Sequence, residues 1–229
     1  MKSVEQTYSN FHINKESMHL YPTEWVIRTM LGKYPNMKID EEKYLNAKVL
    51  DMGFGDARNM PLLNNIGLDI YGVEITDDII KLAKKRLNNL NINATLKVGK
   101  NTNIPFEDSF FDIILSSASC YYLDDNTSFE DNIKEYLRVL KKDGILIANF
   151  PEKSKNFICQ NSIDLGNGNI IIKNDIFNLR NGYTFRVFEN EEEIKNYFDT
   201  YFYNISTGYG IDDYYGLVIS QFFMVAYKK

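Results

Sequence analysis

Apolar positions along this chain follow two periods, and the switching between them marks out its elements. From residue 47 to residue 150, short and nearly all-apolar runs take turns with segments whose apolar residues recur every three or four positions. The runs "AKVLDMG" (47–53), "DIYGVEI" (69–75), "ATLKVG" (94–99), "FDIILSSA" (111–118) and "GILIANF" (144–150) predict five strands. Between them, "NMPLLNNIG" (59–67), "TDDIIKLAKKRLNNL" (76–90) and "SFEDNIKEYLRVLK" (128–141) predict helices. In the second helix Thr76 is a candidate N-cap, and Asp77 and Asp78 suit the positive helix start. Its Ile79, Ile80, Ala83, Leu87 and Leu90 share one face. In the third helix, Ser128 followed three residues later by Asp131 makes a capping box. Apolar strands alternating with helices require a parallel, doubly wound sheet covered on both faces, with right-handed crossovers.

The flanks read differently. "TEWVIRTMLGKY" (23–34) places Trp25, Val26, Met30 and Leu31 on one stripe, with Thr23 as a candidate N-cap and Gly32 and Pro35 at its end. Residues 1–22 are polar and aromatic and read as an arm lying on the main body. After Pro151 the alternation breaks. "DLGNGNIIIKNDIFNLRNGYTFRVF" (164–188) mixes turn dipeptides with short extended pieces, as a hairpin or cap would. "NEEEIKNYFDT" (190–200) predicts a last helix, and "YFYNISTGYG" and "LVISQFFMVAYKK" predict two strands forming a hairpin on the sheet edge. No repeat or low-complexity linker divides the chain. The reading is one domain: an N-terminal helical arm or lid (1–46), a core (47–150), an insert that shapes the pocket (151–188), and a closing helix and hairpin (189–229).

Composition narrows the function. With 229 residues, 44% of them hydrophobic, the chain can bury one substantial core. No apolar run approaches the ~20 residues of a membrane span, and "MKSVEQTYSNFH" lacks the apolar segment of a signal peptide. The two cysteines, Cys120 and Cys159, are far apart and form no CxxC pair. A cytoplasmic protein with neither disulfide framework nor metal site is the expectation. A net charge of −5 argues against capture of nucleic acid, and "KLAKKR" (81–86) reads as the solvated face of a helix. The expected partner is a small molecule, with the protein a monomer or homodimer.

The stretch "VLDMGFGDARNM" (49–60) carries the chemistry. Asp51 ends the first strand, and Gly53 and Gly55 follow at once. Ligands of open parallel sheets bind outside the carboxyl ends of the strands, and glycine there lets a ligand touch bare backbone. The dinucleotide fingerprint G-x-G-x-x-G fails at its third glycine, where Arg58 stands. An acid just before the first glycine also repels a pyrophosphate. A ligand with a cationic end makes Asp51 sensible.

On these residues the chain resembles the class I S-adenosylmethionine-dependent methyltransferases, in their small-molecule group. The family's first motif, an acid followed by x-G-x-G-x and Gly or Ala, is matched by Asp51 through Ala57. Glu74 ends the second strand in "YGVEIT", roughly 20 residues on, where the family carries an acid for the ribose hydroxyls, and Ile75 follows to pack on the adenine. "VGKNTNIPFEDSFFDIILSSA" matches a third motif at Gly99, Ile104, Pro105, Phe106, Phe111 and Asp112, with Lys100 replacing the usual Asp. Lys cannot accept a hydrogen bond from the adenine amino group, so Asn101 and Thr102 become the candidates. "EYLRVLKKDGILIANF" completes the run. The resemblance implies a Rossmann-like, mostly parallel seven-stranded sheet with an antiparallel C-terminal edge hairpin. It implies S-adenosylmethionine as cofactor and S-adenosylhomocysteine as product. The cofactor-binding residues it implies are Asp51, Gly53, Phe54, Gly55, Asn59, Glu74, Ile75, Asn101, Thr102 and Ser116.

The acceptor should meet the methyl group near "SSASCYYL" (116–123), so Tyr121 and Tyr122 are candidate pocket walls. In this family N-terminal arms fold over the cofactor; Tyr8, His12 and His19 are thus candidate catalytic residues, histidine being able to titrate near neutrality, and Tyr21 a candidate substrate contact. Trp25 belongs rather to its helix's buried stripe. Arg180 and Arg186, with Lys173, are candidate anchors for an anionic substrate, against the simpler reading of solvated charge. The N-D-P-P-Y motif of amide and nucleobase nitrogen methylation is absent. The expected reaction is O- or N-methylation of a small metabolite such as a sugar, phosphorylated precursor or natural-product intermediate. Two rivals stand beside it: a catalytically silent cofactor-binding partner protein, and a dinucleotide oxidoreductase.

Overall fold

β1 (Lys48–Met52) lies inside a seven-stranded sheet and fixes where the rest of the chain can go. The computed structural model describes residues 21–37, 39, 42 and 44–229. Along the described chain come α1 (Glu24–Leu31), β1, α2 (Met60–Asn65), β2 (Asp69–Glu74), α3 (Asp77–Asn89), β3 (Thr95–Val98) and β4 (Phe111–Ser116). There follow β5 (Tyr122–Leu123), α4 (Phe129–Val139), β6 (Leu140–Pro151), β7 (Ile163–Gly166), β8 (Asn169–Ile171) and β9 (Thr184–Arg186). The chain closes with α5 (Glu191–Phe198), β10 (Phe202–Tyr214) and β11 (Leu217–Lys228). The large sheet runs β10-β11-β6-β4-β1-β2-β3. Pairs among β3, β2, β1, β4 and β6 are parallel, and β11 joins antiparallel to β6 and β10. This is the doubly wound, mostly parallel sheet with an antiparallel edge hairpin that the pattern predicts.

Successive side chains of a strand point to opposite faces, and the two cores follow from that. Leu50, Met52, Ile114, Leu146, Ala148 and Phe150 pack on one face with α4, α5 and the insert. Val49, Ile113, Leu115, Ile145 and Ile147 pack on the other with α1, α2 and α3. Both sets are buried, which is why these strands read as unbroken apolar runs. The helix ends obey their predicted caps: Thr76 accepts from the Ile79 N–H, and the capping box of Ser128 and Asp131 is closed in both directions.

Several expectations are corrected. Thr23 makes no side-chain cap; its backbone N–H donates to Asn59 Oδ1 at 3.0 Å, tying the start of α1 to the loop after β1. Leu31 and Leu90 are half exposed because each sits at a helix end that has turned off its core, and Thr29 takes the buried place on α1. β6 begins at Leu140, not at residue 144. It absorbs the Lys-Lys-Asp-Gly segment with a register shift against β4 between Phe111 and Ile113. β10 outruns its predicted end at residue 210 and continues to Tyr214, because Tyr215 and Gly216, both at positive φ, make a two-residue hairpin turn whose twist suits the flanking strands.

The insert folds as a second sheet, antiparallel throughout, in the order β5-β9-β8-β7. Its first strand, β5, comes from the segment after β4, so the insert is bonded directly to the site region.

Ile114 is fully buried on the central strand β4. Ile114→Ala is expected to cost about 2–5 kcal/mol, checked by the shift in the urea unfolding midpoint at unchanged slope.

Candidate functional site

The carboxyl ends of β1, β2 and β4 converge, and the loop after β1 rises from them. Gly53, Gly55 and Ala57 all take left-handed backbone at φ of 66°, 55° and 60°. That is easy for the glycines and tolerable for a small alanine. Gly53 also has no room for a side chain: a Cβ there would lie 2.3 Å from Ser119 Oγ. At Gly72, opposite Asp51 in the β1–β2 register, a Cβ would strike Phe54. The missing side chain at Gly72 is what lets Phe54 fold down over β2.

Two carboxylates underlie this loop. Glu74 Oε1 accepts from the Gly55 N–H at 3.0 Å and Oε2 from the Ile75 N–H at 2.7 Å, so each oxygen keeps lone-pair capacity. Asp51 is 1% exposed, and its Oδ2 has no hydrogen-bond partner. Burial, helped by the charges of Glu74 and Asp56, pushes the Asp51 carboxyl up to about 8. Burial pushes Glu74 up to about 7, against the two N–H donors that lower it. Asp56 is paired with Arg58 at 2.7 Å. An orphaned carboxylate oxygen beside a second buried carboxylate calls for a ligand bearing a cation and hydrogen-bond donors.

The segment after β4 forms the opposite wall and is fastened from four directions. Ser116 Oγ, fully buried, accepts from the Cys120 N–H and sits 3.4 Å from the Tyr136 hydroxyl. Asn101 donates through Nδ2 to the carbonyls of Ser119 and Tyr122 and accepts from the Tyr136 hydroxyl. Asn132 donates to the carbonyls of Cys120 and Tyr122. Asn149 Oδ1 accepts from the N–H of Ala118, which is held at φ 57°, and Asn149 Nδ2 donates to Gln221 Oε1.

Between these walls opens a cavity of about 970 Å³, closed by α1, by residues 34–37 and by the β10–β11 hairpin. Of the residues the sequence singles out, Gly53, Phe54, Gly55, Asn59, Tyr121, Tyr122 and Arg180 line it. Asp51, Glu74, Ile75, Asn101, Thr102 and Ser116 lie outside its wall, the two acids directly beneath the glycine loop. Tyr21 is largely exposed and does not reach it. Arg186 faces away, its guanidinium over the rings of Phe188 and Tyr197 and paired with Glu193 at 2.7 Å. Tyr8, His12 and His19 lie outside the described residues. Lys100, whose role the sequence leaves open, pairs with Asp124 at 3.8 Å.

Sequence reasoning missed Asn149, Gln221 and the whole contribution of β10. Asn149 carried a signal, a lone amide inside an apolar strand. The β10 residues carried none, since their place at the cavity follows from the sheet order. Among the described residues no three metal-ligating side chains come together, and no described helix is long and apolar enough to cross a membrane.

Comparison with known proteins agrees with this geometry. A family model described as "Methyltransferase domain" matches residues 50–148. A SAM-dependent methyltransferase from Methanosarcina mazei superposes with a TM-score of 0.64 at 22% identity, over 86% of this chain and 99% of that one. A SAM-dependent methyltransferase from Thermotoga maritima, described as a possible histamine N-methyltransferase, gives 0.59 at 18% identity, over 98% and 99%. A SAM-dependent methyltransferase from Aquifex aeolicus gives 0.56 at 14% identity, over 96% and 98%. No curated protein matches the chain.

The raised carboxyls set a pH dependence. Their ordinary values are 3.8 and 4.5, so between those values and about 7 to 8 the folded chain holds protons that the unfolded chain has lost. Stability from this source is fully present below about pH 4 and is lost as pH rises through about 8. Thermal melts of the ligand-free protein should fall over that window. Asp51→Asn should flatten the fall and melt above the parent at about pH 9.

Proposed function

We propose that this chain, a class I S-adenosylmethionine-dependent methyltransferase, moves the cofactor's methyl group to an O or N atom of a small metabolite. The orphaned, buried Oδ2 of Asp51 carries the reading. It lies under a glycine loop that a ligand can approach closely, beside a cavity of about 970 Å³. The cofactor fits the residues present. Asp51 would take its ammonium group, directly or through water, and the free lone pairs of Glu74 would take ribose hydroxyls. The bare backbone of Gly53 and Gly55 would lie along its middle. Buried acids with raised pKa values are poor company for a pyrophosphate and good company for a cation.

When bound, the cofactor supplies a methyl group on a sulfonium, open to in-line displacement. What the chain must add is alignment and exclusion of water. Tyr121 and Tyr122, stacked with centroids 5.2 Å apart, form an apolar wall beside Ser117 and Ala118, where the acceptor would lie. The fastening of that segment by Asn101, Asn132 and Asn149 keeps the wall in place while the acceptor varies. Both histidines of the chain fall within residues 1–20. An imidazole base for a hydroxyl acceptor would have to come from that arm, which keeps His12 and His19, with Tyr8, as the proposed catalytic residues. The net charge of −5 favours a free small molecule over nucleic acid as acceptor.

S-adenosylmethionine and S-adenosylhomocysteine should each raise the melting temperature, by an amount equivalent to about 2.7 kcal/mol at a hundredfold excess over Kd. NAD should not. Both shifts should vanish in Asp51→Ala and Glu74→Ala. Stabilisation by NAD alone would overturn the assignment.

A further inference from the structure

Among the described residues that line the cavity, one cation shares its carboxylate partner with three backbone N–H groups. Three arginines line it. Arg28 is paired with Glu24 at 2.7 Å, and Arg58 with Asp56 at 2.7 Å. Arg180 also has an acidic neighbour, Asp175, at 3.2 Å, but the Asp175 carboxylate is shared with backbone donors. Its Oδ1 accepts from the Phe177 N–H, and its Oδ2 accepts from the N–H groups of Leu179 and Arg180 as well as from Arg180 Nη1. Its charge is therefore spread over four donors.

The loop around Asp175 is built to hold Arg180 still. Asp175 is buried at its centre, and the Asp175 N–H donates to Asn181 Oδ1. Asn174 and Asn178 take left-handed backbone, as does Gly182. Ladder bonds between Ile172 and Tyr183, and between Gly182 and Ile172, close its neck. Arg180 Nε donates to the Tyr122 hydroxyl at 3.3 Å, locking the guanidinium against the wall where the acceptor would lie. Among the described residues Nη2 has no partner, in a fork that Nε and Nη1 already orient. Holding the donor in advance removes much of the ordering entropy that a flexible Lys would lose on binding.

We propose that Arg180 is the specificity residue of the acceptor site, and that the acceptor is a small carboxylic acid bound through its carboxylate to the Arg180 guanidinium. The inference rests on the methyltransferase reading of the same cavity. A carboxylate fits better than a phosphate. Arg28 and Arg58 are taken up by Glu24 and Asp56, and Asp212 adds a further acid to the wall, so the wall offers an incoming anion one guanidinium, which suits a single negative charge. A planar guanidinium edge also matches a carboxylate's two oxygens. The remaining surface beside Arg180 consists of tyrosine faces and Leu179, which suit a flat or apolar body on the acid.

The test uses the full chain loaded with S-adenosylhomocysteine and a set of small aromatic and aliphatic carboxylic acids. Each acid is paired with its primary amide and, where one exists, its phosphate ester. Binding is read by ligand-observed NMR and calorimetry. In the parent protein the carboxylates should bind roughly tenfold tighter than their amides. That preference should disappear in Arg180→Gln and shrink in Arg180→Lys, while S-adenosylhomocysteine affinity stays unchanged in both. Should Arg180→Gln unfold the insert, Arg180→Lys carries the comparison alone. A set showing no carboxylate preference, a preference that survives the substitution, or a stronger preference for phosphates would each overturn the proposal. Failure of the parent to bind S-adenosylhomocysteine would instead sink the methyltransferase reading beneath it.

Discussion

Two carboxyl side chains placed side by side out of water are the constraint around which this fold is arranged. Asp51 and Glu74 end neighbouring parallel strands, so the register that builds the sheet also forces their proximity. A soluble domain ordinarily avoids this, because an unpaired buried carboxylate either takes up a proton or destabilises the fold by several kcal/mol. Here one acid is steadied by two backbone N–H groups and the other by none. The unmet oxygen of Asp51 costs the ligand-free fold stability, a cost that the proposed binding of a cation would offset.

The second organising feature is the coupling of the insert to the site. β5 is only two residues long, yet it pairs with β9, so Tyr122 lies opposite Phe185 in the small sheet while its ring faces the cavity. Tyr121, Tyr122, Tyr183 and Phe185 form one aromatic cluster with centroids 4.2 to 5.3 Å apart. The loop of Asp175 hangs from the same sheet. Tyr122 and Arg180 are therefore positioned by the small sheet, and the glycine loop by the large one.

The core was legible because its signal is periodic and local. Strand runs buried on both faces, the cap at Thr76 and the box at Ser128 each depend on neighbours within a few residues. The acids and glycines of the β1 loop were legible for the same reason, their spacing being fixed by one strand end and one turn. What escaped depends on packing between distant parts of the chain. The strands of the small sheet are two to four residues long and exist only by pairing with one another. Asn101 sits where the spacing suggests a ligand contact, but its amide turns inward to hold the carbonyls of Ser119 and Tyr122. Arg180 and Arg186 are indistinguishable as letters. One lies in the loop between β8 and β9 and lines the cavity; the other ends β9, with its guanidinium over the Phe188 ring.

Asn149 joins parts of the molecule that the chain order keeps apart. Its amide oxygen holds the strained Ala118 of the segment after β4, and its nitrogen holds Gln221 of β11. A change of partner at either end strands a polar atom at the other. Residues 117–122 are therefore not a portable cassette: transplanted from a relative, they would keep their shape only if the donor's residues at 149 and 221 travelled with them.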